Sequence, residues 1–264
     1  MARGGRPAFH PAPRRVSREA APGGARPAAA SPPLAPPLVP PLALPPILLC
    51  RDDVLVIDKP AGLPVHAGPR GGPSLEDLLP FLAPGRKRPP QPAHRLDTDT
   101  AGCLVLGRTR PALAGLGAIF AQGRARKTYW AIVAGGPAAR SGRIDAPLRK
   151  VSSAAAGWRM EAHPEGQPAL TRWRVRGRGT GAGGDLAWLE LRPETGRTHQ
   201  LRVHCASQGW PILGDPVYGR PHPAGLHLLA RAIALPLDPP LEVTAPVPAA
   251  LRPAFAACGW TEAA

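Results

Sequence analysis

The chain of 264 residues predicts an α+β fold built on a mixed, largely antiparallel sheet with flanking helices. Three observations carry this. Short apolar runs rich in β-formers recur from Ile47 to Val243, separated by Gly, Pro and Asp, as strands are. Helical periodicity is confined to a few segments. Strands and helices are interspersed without a regular βαβ rhythm, which argues against a doubly wound parallel sheet. A hydrophobic content of 44% at this length supplies a core.

Residues 1 to about 46 stand apart: Pro, Ala, Gly and Arg dominate, and Glu19 is the sole acidic residue. Prolines at Pro32-Pro33, Pro36-Pro37, Pro40-Pro41 and Pro45-Pro46 forbid a helix or a central strand, so a disordered, partly polyproline tail is expected. The apolar part, Leu34 to Leu49, is interrupted too often for a membrane span or a secretory core. A cytoplasmic location is the expectation.

The folded part, 47–264, is expected to form one domain. Ile47 to Cys50 and Val54 to Ile57 are strand candidates around Arg51-Asp52-Asp53; Asp58 to His66 is a loop with turns fixed by Pro and Gly. Ser74 to Leu79 predicts a short helix capped by Ser74. Pro84 to Pro92 is a basic, Pro-rich loop, followed by Ala93-His94-Arg95-Leu96-Asp97-Thr98-Asp99-Thr100-Ala101-Gly102 and the apolar run Cys103 to Leu106, a buried strand. Thr109 caps the next helix, with Pro111 in its first turn, Leu113, Leu116, Ile119 and Phe120 as its apolar stripe, and Gly123 at its end. Arg124-Ala125-Arg126-Lys127 is a basic turn before the strand Thr128 to Val133. Residues 135 to 168 are weakly patterned. Leu170 to Arg176 and Leu186 to Leu191 alternate as strands, with Gly177 to Gly184 as a glycine-rich hairpin loop. A turn at 192–197 opens a helix from about Thr198 to Gln208; Pro211 to Gly219 is a loop, and Leu226 to Leu235 and Leu241 to Val243 are late strands.

Lys and Arg number 33 against 18 Asp and Glu, a formal net charge of +15, which favours a polyanionic partner, nucleic acid foremost. Arg, Ala, Gly and Pro are all abundant, so coding bias explains part of the excess. Cys50, Cys103, Cys205 and Cys258 are too far apart for zinc-ligand spacing and too few for a disulfide scaffold, and read as apolar fillers in a reducing compartment. A P-loop and a nucleophile elbow are both missing from the sequence, which places a small-phosphate hydrolase last among enzyme readings.

Asp97 sits in a loop ahead of a buried strand, where rigid elements commonly hold reactive groups. Gly196-Arg197-Thr198-His199-Gln200-Leu201-Arg202 places His199, Arg202 and Val203 on one helical face. An inward Arg202 needs an anion: a structural carboxylate, Asp97, or an RNA phosphate. Tyr129, two residues after Lys127 on a strand, is either core packing or a surface for a nucleobase.

Taken together, His94-Arg95-Leu96-Asp97 with Thr100-Ala101-Gly102, Lys127-x-Tyr129 and Gly196 to Arg202 are similar to the RluA family of RNA pseudouridine synthases. Asp58-Lys59-Pro60-Ala61-Gly62 and Pro211-Ile212-Leu213-Gly214-Asp215-x-x-Tyr218-Gly219 extend the match, in order, over about Ile47 to Val243. The resemblance implies a pseudouridine synthase fold with a central RNA-binding cleft, and isomerisation of uridine to pseudouridine in ribosomal large-subunit RNA, tRNA or both, by a monomer without cofactor or metal. It implies that Asp97 is the catalytic aspartate, Arg202 its partner, Tyr129 the residue against the target base, and Arg95 the one that helps fill the space left by a flipped uridine. His94, Arg124, Arg126, Lys127, Arg197 and His199 are the further RNA contacts expected. Ala101 departs from the family, which usually has Ser there. The tail does not resemble the small RNA-binding domain that many relatives carry. A protein of this fold that only binds RNA is the rival reading, against which Asp97, Tyr129 and Arg202 count jointly.

Overall fold

Alternation decides the sheet. Val54, Leu55, Val56 and Ile57 are all buried, so this strand is covered on both faces, as is Ala101–Gly107 beside it. The computed structural model describes residues 43–68, 71–83, 86–153 and 157–262; positions 1–42 of the expected tail lie outside them. The strands are β1 (Ile47–Cys50), β2 (Val54–Lys59), β3 (Gln91–Pro92), β4 (Ala101–Gly107), β5 (Arg126–Ala134), β6 (Ser141–Asp145), β7 (Leu148–Ser153), β8 (Gly157–Ala162), β9 (Leu170–Gly181), β10 (Gly184–Pro193), β11 (Leu228–Leu235) and β12 (Leu241–Thr244). The helices are α1 (Arg110–Ala121), α2 (Gln200–Ser207) and α3 (Arg252–Ala257), with a 3-10 helix at Leu75–Leu82.

Ten strands form one sheet in the order β1-β2-β4-β11-β5-β10-β9-β6, with β3 on β4 and β12 on β11. Every pairing is antiparallel except β4 with β11, through Ala101–Leu229 and Gly102–Ala230. Hairpin β7–β8 stands off the sheet. The fold is therefore α+β with a mixed, largely antiparallel sheet.

Each face has its own cover. On one, Leu55, Ile57, Leu104 and Leu106 pack with Leu75, Leu78 and Leu79 of the 3-10 helix. Further along the same sheet, Ala131, Val133, Leu189 and Leu191 pack with Leu201 and Cys205 of α2. Tyr129 packs against both clusters, so it marks the gap between the two covers. The other face carries α1 through Leu116 and Ile119, and α3 through Phe255 on Trp130 and Trp188.

Helix α1 follows its sequence signals: the Thr109 hydroxyl accepts from the Ala112 N–H at 3.2 Å, and Pro111 lies in the first turn. Three elements differ from expectation. The stretch Gly177–Gly184 is strand rather than loop down to Gly181, because α3 lies directly on it: a Cβ at Gly177 would run into the Cys258 carbonyl and one at Gly179 into that of Ala257. The weakly patterned 135–168 holds three strands: β6 pairs with the later strand β9, and β7 and β8 pair with each other as a hairpin. Helix α2 starts at Gln200 instead of Thr198, since His199 takes a left-handed conformation at φ 53°.

Candidate active site

A cleft of about 540 Å³ runs between the two covers, with Tyr129 of β5 and Leu228 of β11 among its lining. The Asp97 loop forms one wall and the segment Glu194 to Arg202 the opposite one.

Asp97 is placed by its neighbours. Leu96 is buried in the core, the Thr100 N–H donates to the Asp97 carbonyl at 3.1 Å, and the Gly62 N–H donates to the Thr98 carbonyl at 2.9 Å. The fully buried Lys59 ammonium donates to the carbonyls of Pro60 and Leu63 at 2.8 Å and of Thr98 at 3.0 Å, tying the end of β2 to this loop. Burial pulls the Lys59 pKa down to about 8, partly opposed by the carboxylates of Asp99, Asp97 and Asp58. The loop enters β4 at Ala101, and at the next residue, Gly102, φ is +112° and a Cβ would collide with the Ala230 carbonyl of the parallel neighbour.

Opposite, Arg202 is buried and shared between two carboxylates. Its Nε and Nη2 hold Asp215 Oδ2 and Oδ1, each at 2.8 Å, while Nη1 stands 3.9 Å from Asp97 Oδ2. Asp215 Oδ1 also accepts from the backbone N–H groups of Val217 (2.9 Å) and Tyr218 (3.0 Å). Burial pushes the Asp215 carboxyl up, but the guanidinium and these N–H groups prevail and hold it below the usual carboxylate range. For Arg202 burial works against charge, and Asp215 and then Asp97 more than restore it. The result is asymmetric: one carboxylate is consumed by the fork, and the other, at 21% side-chain exposure, faces the cleft near the charge without a hydrogen bond to it.

Tyr129 is held neutral, since burial and then the negative charge of Asp97 raise its pKa. His199 packs its ring on Trp158 at 5.2 Å, and its Nδ1 meets the Tyr218 hydroxyl at 2.9 Å. That hydroxyl oxygen accepts from the Met160 N–H at 3.0 Å, which links β8 to the α2 wall. Burial and the Arg202 charge lower the His199 pKa against the pull of Asp97, so the ring is neutral near pH 7.

This geometry fits the comparisons with known proteins. A family model described as RNA pseudouridylate synthase matches residues 53–207. The chain belongs to the RNA pseudouridylate synthase family. The synthase is 43% identical over 210 residues to an uncharacterized RNA pseudouridine synthase of Zymomonas mobilis, covering 77% of this chain and 94% of that one. It is 40% identical over 190 residues to the ribosomal large subunit pseudouridine synthase D of the same organism, covering 69% of this chain but 58% of the longer relative. In three dimensions it is similar to human RNA pseudouridylate synthase domain containing 4, with a TM-score of 0.67 and 29% identity over 80% of this chain and 92% of that one.

Of the residues singled out from sequence, the cleft of the synthase gathers His94, Arg95, Asp97, Lys127, Tyr129, Arg197, His199 and Arg202. His94 is also an anchor: its Nε2 accepts from the Val105 N–H at 3.0 Å, its ring stacks on Phe120, and burial lowers its pKa to about 3. Lys127 donates to the Thr195 carbonyl at 3.4 Å, bridging to the opposite wall. Arg124 is exposed on the turn between Gly123 and Ala125 without lining the cleft, and Arg126 lines a separate groove. Two residues of the site had no role assigned from sequence. Lys59 was visible as the second of two charges, after Asp58, that close the apolar run of β2, and Asp215 as an acid between Gly214 and Pro216. Neither signal says which distant group it serves. Among the described residues, His, Cys, Asp and Glu form no group able to hold a metal ion.

Proposed function

We propose that this synthase converts uridine to pseudouridine in RNA, with large-subunit ribosomal RNA as the first substrate to test and tRNA as the second. The observation that carries the reading is the placement of Asp97: a carboxylate facing a cleft, 3.9 Å from a buried guanidinium already committed to Asp215. The names of relatives such as the ribosomal large subunit synthase of Zymomonas mobilis favour ribosomal RNA.

The reaction breaks the N1–C1′ bond, turns the uracil and joins C5 to C1′; the C5 proton leaves and N1 gains one. Substrate and product have the same atoms and oxidation level, so the balance needs no co-reactant. A stacked uridine is out of reach of the cleft, and flipping it costs a few kcal/mol of unstacking. Arg95 and Arg197, both exposed at the cleft, offset that through phosphate contacts, and Arg95 fills space beside the opened strand. The neutral Tyr129 ring offers its face to the extruded base. Asp97 then acts as nucleophile or base, with lone pairs not tied up by Arg202.

Asp97→Asn keeps the shape and removes the charge. The variant is expected to fold and to bind RNA with wild-type affinity, yet to leave no pseudouridine in a transcriptome-wide map of cells that lack the native gene. Retained turnover removes Asp97 from its role, and the positions restored by the wild-type protein alone name the RNA.

A further inference from the structure

The face of the sheet opposite the cleft carries charges that folding alone does not reward. Arg143 of β6, Arg172 of β9 and Arg192 of β10 are directly opposite one another in register, and all three are exposed. Paired residues of antiparallel strands point to the same side with Cβ atoms about 5 Å apart, and like charges so placed destabilise a sheet. Arg174 and Arg176 continue the row along β9. Glu190 serves Arg192 at 2.8 Å and Arg176 at 3.6 Å, and Glu194 pairs with Arg172, so among the described residues Arg143 and Arg174 of the row have no ion pair. Coding bias explains abundant Arg, but not three of them in one cross-strand row.

The row is not isolated from the cleft. A groove of about 620 Å³ lined by Arg126, Arg172 and Arg192 shares Lys127, Pro193 and Glu194 with it. We propose that this face is a second RNA track, on which Arg143, Arg172 and Arg192, with Arg126, grip the phosphodiester backbone of RNA flanking the nucleotide held in the cleft. The occupant rests on the RNA-modifying reading above and on charge complementarity. Through it the synthase prefers a long or folded RNA over a short strand that only fills the cleft.

The test uses the full chain and the variant Arg143→Gln/Arg192→Gln, which leaves the Arg172–Glu194 pair in place. Binding of fluorescent oligouridylate of 8 and of 30 nucleotides is measured against salt. Each lost phosphate contact lowers the slope of log K on log salt by about 0.7 for a single strand, so the 30-mer slope falls by about 1.4 and the 8-mer slope is unchanged. The melting temperature changes little, because the exposed Arg192–Glu190 pair that is lost is weak, Arg176 still faces Glu190, and a repulsion goes with it. On total RNA labelled with tritium at uracil C5, release of tritium slows at low RNA concentration and not at saturation. A wild-type slope on the 30-mer overturns the track, as does an equal loss on both lengths. Lost binding to phosphatidylglycerol vesicles with RNA binding intact overturns it too, in favour of a membrane. A slope change without turnover on any RNA keeps the track and rejects the proposed reaction.

Discussion

Arg202 illustrates how one buried side chain serves two carboxylates of different purpose. A guanidinium has a planar fork, and here the Nε–Nη2 edge is spent on Asp215, leaving Nη1 directed toward Asp97. Asp215 is itself immobilised by two backbone N–H groups of the loop after it, so the fork cannot rotate without breaking both of its bonds to a fixed carboxylate. Arg202→Lys keeps the charge and loses this geometry, since an ammonium cannot hold Asp215 on two nitrogens while facing Asp97. The expected outcome is a kcat lower by about 100-fold, the scale of a misplacement near 1 Å, with RNA affinity unchanged. Single-turnover rates at saturating RNA measure it; a near wild-type rate would show that charge alone suffices. The sequence made Asp97 and Arg202 legible as partners through their motifs. It did not reveal Asp215 as the tighter partner, because an ion pair between a helix and a loop has no periodicity to betray it.

At the scale of elements, α3 and β9 depend on each other. Trp130 and Trp188 are covered by Phe255, and the backbone after Phe255 comes so near β9 that only glycine fits at 177 and 179. Gly177→Ala places a methyl against the Cys258 carbonyl, a backbone group that cannot turn aside. We expect a loss of about 3 kcal/mol in denaturant unfolding, with faster amide exchange over 252–257, as overpacking predicts. An unchanged midpoint would mean that α3 shifts freely. The same contact explains what sequence reasoning lost here. Gly177 to Gly181 carries the composition of a turn, and only its tertiary neighbour makes it a strand. Six residues of α3, beginning Arg252-Pro253, are too short for a helical stripe to register. Elements with local signals behave otherwise: α1 has its cap, its proline and its stripe in the sequence, and it forms where they place it.

For the molecule as a whole, the buried cations and imidazoles set the response to pH. His94, His199, His204 and His227 all have pKa values lowered by burial, His94 to about 3. Burial keeps each one neutral, against the hydrogen bonds to backbone carbonyls that favour the charged ring in His204 and His227. His204 is fixed between the Thr171 hydroxyl and the Ala146 carbonyl, both at 2.9 Å, and the buried Nε2 of His227 has no acceptor among the described residues, so a second proton there would be stranded. Unfolded, each histidine titrates near 6.5. Between that value and the lower folded one the unfolded chain binds more protons, so stability falls as the pH falls below about 6.5. Lys59 acts in the same sense at the other end: its folded pKa of about 8 lies below the ordinary lysine value of 10.5, so its burial costs most at neutral pH and less as the pH rises through that window. Carboxylates titrate mostly below pH 5, which leaves pH 5 to 7 to the histidines. Urea unfolding across that range should therefore give a free energy that rises with pH, most steeply below about 6.5. A flat profile between pH 5 and 7 would require these imidazoles to be protonated within the fold, against the burial that disfavours their charge.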